Sequence, residues 1–240
     1  MNKKIEVRNL KYKIEKKEIL KDVSFFINNN EILALVGKNG SGKTTIAKLL
    51  SGVIESGDTI VLINGKRLNN SNAVKQIGIV FQNPESQMLF STVEQELSSS
   101  LEFNNEDPAL MKDKITSALS TVGLVGFEKR QISSLSGGEK QKVAIATQLI
   151  IKTDLLILDE PSSMLDDEST ESLFKTLKTL GKPTLLITQS ILETLKADRV
   201  IVLDKGEIIF SGSPIELVDN QDVFKKTHLA KPYKGETYEN

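Results

Sequence analysis

The chain has 240 residues, 39% of them hydrophobic, with no cysteine and a formal charge of −1 from 31 basic and 32 acidic side chains. The lack of cysteine excludes disulfides, thiolate zinc sites and cysteine nucleophiles, and the balanced charge offers no global basic field, so no nucleic acid is expected as a partner. The opening MNKKIEVRNL is charged where a signal peptide would be apolar, which predicts a cytoplasmic chain whose contact with a membrane is by docking.

Short apolar, β-branched runs at 5–7, 23–27, 32–36, 59–63, 77–81, 155–158, 184–188, 200–203 and 208–210 predict strands, with Gly78 an unfavourable residue inside one of them. Helical periodicity falls at 43–50, 109–122, 138–151 and 168–180, the last with Leu173, Phe174, Leu177 and Leu180 on one face. Strands alternating with helices predict an α/β fold with a largely parallel sheet. Antiparallel pairing is expected near the N-terminus and around the turn Asp204, Lys205, Gly206. Residues 91–152 hold no convincing strand and read as a helical insertion within a domain spanning 1–220. From 221 to 240 the mixed charges with Pro232 and Gly235 predict a loosely held tail.

Residues 37–44, GKNGSGKT, satisfy G-x-x-x-x-G-K-[ST] and sit between a predicted strand and a predicted helix, as a phosphate loop must. Gly37, Gly40 and Gly42 carry no Cβ, so backbone N–H groups can curl around a phosphate at a helix N-terminus. Lys43 is expected to reach the β- and γ-phosphates of ATP and Thr44 to ligate Mg²⁺, with Asn39, Ser41 and Thr45 completing the nucleotide contacts. Downstream, LLILDE at 155–160 delivers Asp159 and Glu160 at the end of an aliphatic strand. Paired acids there are often only a solvated turn. Beside a phosphate loop they read as a ligand in the Mg²⁺ shell, Asp159, and a general base for water, Glu160.

A second glycine pair opens a helix in LSGGEKQ at 135–141. GKNGSGKTT, Gln82, LSGGEKQ and LLILDEP, in that order, resemble the ABC ATPase family over roughly residues 3–219. The resemblance implies a P-loop NTPase fold with a mostly parallel core sheet, an antiparallel β subdomain and an inserted helical subdomain. It also implies a head-to-tail pair with a second ABC ATPase subunit, in which Ser136, Gly137 and the helix start after Gly138 hold the γ-phosphate of the partner's ATP. By the same resemblance Tyr12 stacks on adenine, Gln82 touches Mg²⁺ and the attacking water, and Asp166 in PSSMLD lies on the loop that crosses to the other subunit. Homodimer and heterodimer both stay open.

One position departs from the family. Where a histidine is expected after strand 184–188 the chain has Gln189, and its single histidine is His228. Glutamine cannot carry a charge near neutrality; a lost charge-assisted bond of roughly 1.5–3 kcal/mol implies hydrolysis slower by about one to two decades. FQNPESQ at 81–87, TVEQEL at 92–97 and SMLD at 163–166 resemble the ATPases of energy-coupling factor importers and their cobalt and nickel relatives. That implies an ATPase at the cytoplasmic face of the membrane, docked on a transmembrane T component that grips an S component for a vitamin or metal ion. The ATPase of a conventional ABC transporter, and a slow-hydrolysing nucleotide-sensing partner, remain alternatives.

Overall fold

In the computed structural model, which describes residues 3–55, 60–68, 73, 75–227 and 229, the chain builds two sheets and a set of helices. The first sheet is antiparallel: β1 (Lys3–Ile14), β2 (Lys17–Asn28), β4 (Ile60–Ile63) and β5 (Lys66–Arg67), in the order β2-β1-β4-β5. β1 and β2 run far beyond the apolar cores that predict them. Their ladder absorbs several bulges and turns at Glu15, φ 53°, a cost the hairpin bears because Ile5, Val7, Leu10, Leu20, Val23 and Ile27 all bury on one face.

The second sheet runs β10-β9-β3-β8-β7-β6. β3 (Ile32–Val36), β6 (Ile77–Val80), β7 (Leu155–Asp159), β8 (Thr184–Thr188) and β9 (Arg199–Asp204) are parallel, and β10 (Glu207–Gly212) is antiparallel to β9. Lys205 at φ 48° and Gly206 at φ 81° make the expected hairpin turn. Parallel strands covered on both faces read as continuous apolar runs. Accordingly Leu33 and Leu35 pack under the first sheet with Ile46 and Leu50 of α1 (Lys43–Leu50), while Ile32, Ala34 and Val36 face the opposite cluster. Gly78 sits close under Gln148 and Thr153: a Cβ there would lie 2.8 Å from Gln148 Oε1 and 3.3 Å from Thr153 Cγ2.

A third cluster belongs to α2 (Val93–Phe103), α3 (Pro108–Thr121) and α4 (Gly137–Ile150), which fill the predicted helical interval. Thr92 with Gln95 and Ser136 with Glu139 form capping boxes, and Asp107 caps α3 ahead of Pro108. α5 (Asp167–Leu180) buries Leu173, Phe174 and Leu177, but Leu180 is 37% exposed, because the left-handed Gly181 ends the helix there. Two short helices follow, α6 (Ile191–Thr194) and α7 (Pro214–Asp219). Beyond Asn220 the expectation of a loose tail is corrected: Gln221–Thr227 forms α8 and buries Val223 and Phe224 in the second cluster. Thr59, His228 and the rest of the tail from 230 on lie outside the described residues.

Candidate functional site

β3, β8, β7 and β6 are consecutive parallel neighbours, so their C-terminal ends share one sheet edge, where parallel sheets place ligands. The loops leaving that edge carry the phosphate loop, Gln189, Glu160 and Gln82 respectively. Residues far apart in sequence are thereby collected along a short line.

Gly37 is required by close approach, since a Cβ there would lie 2.3 Å from Leu203 O and 2.7 Å from Ser41 Oγ. Gly40 and Gly42 take φ values of 78° and 112°, which an L side chain rarely adopts. Lys43 Nζ donates to Gly37 O at 2.7 Å and Lys38 O at 3.1 Å, so its ammonium sits inside the loop. Burial pushes the Lys43 pKa down, and the charges of Glu160 and Asp159 draw it back up. α1 begins with no side-chain cap and no acid in its first turn, leaving its N–H groups to an anion. Ser41 Oγ is buried and has no hydrogen-bond partner, a polar atom aimed into a loop that suits phosphate oxygens.

Thr44 Oγ1 donates to Asp159 Oδ2 at 2.7 Å. Asp159 is 3% exposed; burial raises its pKa first and Glu160 adds to the rise, while the Thr44 hydroxyl and Lys43 oppose it. Among the described residues no cluster of three or more His, Cys, Asp or Glu could cage a metal. A hydroxyl, one carboxylate and the amide oxygen of Gln82 nevertheless fit Mg²⁺, which keeps waters and phosphate oxygens in its shell rather than an all-protein cage.

Glu160 leaves β7 at φ 52°, a strained backbone for this residue, with its N–H donating to Ile187 O at 2.8 Å. Each carboxylate oxygen accepts one amide: Oε2 from Gln82 Nε2 at 2.7 Å and Oε1 from Gln189 Nε2 at 2.5 Å. Two neutral amides thus bracket the acid. Tyr12 is half-buried on β1 opposite Leu20, and Leu20 Cδ2 lies 2.7 Å from where a Cβ on Gly42 would be, which sets β2 beside the phosphate loop and Tyr12 across the ladder from that contact. Asn39 is exposed on that loop and Thr45 half-buried in the first turn of α1.

Ser136, Gly137 and Gly138 are on the helical layer. The helix opens at Gly137, with Ser136 Oγ accepting from Glu139 N at 3.2 Å and Ser136 N donating to Glu139 Oε2 at 2.7 Å; that bond depresses the Glu139 pKa. Cβ atoms on Gly137 and Gly138 would meet Met164 Sδ at 3.2 Å and Met164 O at 2.9 Å. Asp166, two residues on, caps α5 by accepting Ser169 N at 2.7 Å, and the hydrogen bonds from Ser169 lower its pKa. Two residues near this edge have partners that the sequence does not reveal. Gln87 reaches back to β6, and Glu193 of α6 accepts from Ser162 and Thr188.

A sequence profile described as ABC transporter matches residues 20–163, which include both the phosphate loop and LSGGEKQ. The chain belongs to the ABC transporter family. It is an ATPase of that class, and among ABC proteins it is similar to the Energy-coupling factor transporter ATP-binding protein EcfA1 of Streptococcus sanguinis strain SK36, at 39% identity over 95% of this chain and 86% of that one. The protein of the same name from Mycoplasma mycoides subsp. mycoides SC is 40% identical over 96% of this chain, which spans only 59% of that relative's length. Of solved structures, CbiO1 from Clostridium perfringens, described as part of the ABC transporter complex cbiONQ, superposes with a TM-score of 0.82 at 28% identity, over 95% of this chain and 96% of that one. Among the described residues no helix is long and apolar enough to cross a membrane.

Proposed function

We propose that this chain, through an ATPase domain at 1–220 with its helical subdomain at about 91–152, pairs with a second ABC ATPase subunit around ATP. Hydrolysis then drives solute import through a separate membrane component of the energy-coupling factor type, at the cytoplasmic face. The reading is carried by one observation, the bracketed Glu160 carboxylate at the strand edge that also holds Lys43 and the Thr44–Asp159 pair. Lys43 and the loop N–H groups bind the phosphate tail of ATP, Tyr12 supports its adenine, and Ser136, Gly137 and Gly138 face the γ-phosphate held by the other subunit. Mg²⁺, held by Thr44, Asp159 and Gln82, would neutralise phosphate charge.

Glu160 is the general base. Each of its oxygens has a second lone pair beyond the amide bond it accepts, so one can take a hydrogen bond from water and then its proton as water attacks γ-phosphorus and ADP leaves. Gln82 and Gln189 hold the carboxylate for that step. Because Gln189 is neutral, this site turns over slowly, which favours a heterodimer whose partner site is served by LSGGEKQ. The same observation supports the second reading, a slow, nucleotide-sensing subunit. Docking on a T component and its S component for a vitamin or metal ion is supported by an apolar groove of about 430 Å³ beside Gln87, rimmed by the exposed Val53, Leu89, Phe90 and Phe103.

The test is steady-state ATPase activity of the complex that co-purifies with this chain. Glu160→Gln is expected to remove at least about a hundredfold of the turnover belonging to this site, the usual scale for a general base. Turnover indifferent to Glu160→Gln and to Lys43→Ala would overturn the proposal.

A further inference from the structure

Ser190 and Glu193 have the S-x-x-E spacing of a capping box, in which the acid returns to the backbone N–H of the serine. Ser136 with Glu139 and Ser213 with Glu216 close that box in this chain. Glu193 does not. Ser190 Oγ accepts from Glu193 N at 3.3 Å, but Ser190 N donates instead to Thr188 Oγ1 at 3.0 Å, and the carboxylate turns away from its own helix start. Its Oε1 accepts from Ser162 Oγ at 2.6 Å and its Oε2 from Thr188 Oγ1 at 2.8 Å.

One donor ends β8 and the other lies in the loop after β7, the two segments that surround the catalytic carboxylate. Thr188, 2% exposed, immediately precedes Gln189, which donates to Glu160. Ser162 lies in the turn that leaves Glu160, closed by Ser163 N donating to Glu160 O at 3.2 Å and Leu165 N donating to Ser162 O at 2.9 Å. The same turn carries Met164 onto Gly137 and Gly138 and ends at Asp166. One side chain therefore spans the gap between the loop that reaches LSGGEKQ and the loop that holds the base.

We infer that Glu193 is a positioning residue for hydrolysis, fixing Gln189 on Glu160 and registering both against the 162–166 loop. The inference rests on the proposed role of Glu160. The two carboxylate oxygens of Glu193 are taken up by Ser162 and Thr188, so its role is indirect. It acts by holding two hydroxyl donors in charge-assisted bonds, which are shorter and stronger than neutral ones and leave each loop one arrangement. Removing it lets the Gln189 amide and the 162–166 loop move independently, and misplacement of a catalytic group by about 1 Å is enough to cost on the order of a hundredfold.

The experiment measures the Glu160-dependent turnover of the co-purified complex, the part that Glu160→Gln removes, together with ATP affinity and thermal unfolding. Glu193→Ala is expected to lower this turnover about ten- to a hundredfold, with ATP affinity held within about twofold. Glu193→Gln keeps the shape and, by rotation of either hydroxyl, both contacts, and should recover most of the rate. In a double-mutant cycle, Gln189→Ala on top of Glu193→Ala should add far less than it does alone, since both remove the same constraint. A role confined to stability would lower the melting temperature and leave the two substitutions additive, overturning the inference, as would full turnover in Glu193→Ala. Should Glu193→Ala not fold, Ser162→Ala and Thr188→Val, each removing one donor, must show the same kcat loss at unchanged affinity or the inference fails. Absence of any Glu160-dependent turnover in the unaltered complex would instead refute the role of Glu160 itself.

Discussion

Asp159 is buried at an electrostatic cost. Burial is the main cause of its raised pKa, so the ionised side chain opposes folding. With the folded pKa above the ordinary aspartate value of about 3.9, its contribution to stability is present below that value and is lost as pH rises through the folded pKa. At neutral pH Asp159→Asn should therefore stabilise the nucleotide-free chain, while the Thr44 hydroxyl keeps an oxygen to donate to. Thermal unfolding at pH 7 and pH 4 checks the sign: the gain should shrink at the lower pH. Gln189 gives the second expectation at this scale. If the neutral amide is what limits this site, Gln189→His should raise turnover about tenfold or more, the worth of one recovered charge-assisted bond. Unchanged turnover in the assembled complex would show that the substitution is silent. Lys43, Thr44, Asp159 and Glu160 are legible in sequence because their mechanism fixes their spacing. Gln189 is legible only against the family's histidine, and Glu193 is not singled out by sequence, since its S-x-x-E spacing implies only a local bond while its partners are Ser162 and Thr188.

At the scale of elements, β6 is an edge strand of the six-stranded sheet, which would leave backbone groups unpaired. Gln87 covers them, with Oε1 accepting from Phe81 N at 2.7 Å and Nε2 donating to Ile79 O at 3.1 Å. Gln87→Ala removes both bonds at once and should destabilise the chain by about 1–3 kcal/mol, with faster hydrogen exchange at the Phe81 amide as the local readout. A wild-type exchange rate there would show that the edge is protected by something else. The buried strands of the parallel sheet were readable as aliphatic runs, and four helices from their helical periodicity. α2 was not, because VEQELSSSLEF offers only Val93, Leu97 and Leu101 as apolar buried positions, and its start is marked by a threonine cap rather than by hydrophobicity. β1 and β2 exceeded their apolar cores because pairing with each other, not composition, sets the length of a hairpin.

Across the whole molecule, the two anion sites sit on different layers, the phosphate loop on the parallel sheet and the serine–glycine start of α4 on the helical layer. In the proposed pair of subunits each supplies part of a nucleotide site. Within one chain the layers meet where Ala144 and Ile145 of α4 pack into the second cluster, Gln148 lies against Gly78, Met164 packs on Gly137 and Gly138, and Lys140 pairs with Glu85 in the turn after Gln82. Closure of that pair around ATP would turn the helical layer against the sheet and carry that motion to the groove beside Gln87. The order of the motifs was readable along the chain, whereas the convergence of four strand ends was not, since it depends on β8 inserting between β3 and β7. All of this requires that the glycine loop grip ATP. Isothermal titration of ATP with Mg²⁺ into the co-purified Glu160→Gln complex, which binds without turning over, measures that grip directly. A saturable heat is expected, with one site per copy of this chain disappearing in Lys43→Ala; a titration with no saturable heat, or one that Lys43→Ala leaves unaltered, would contradict it.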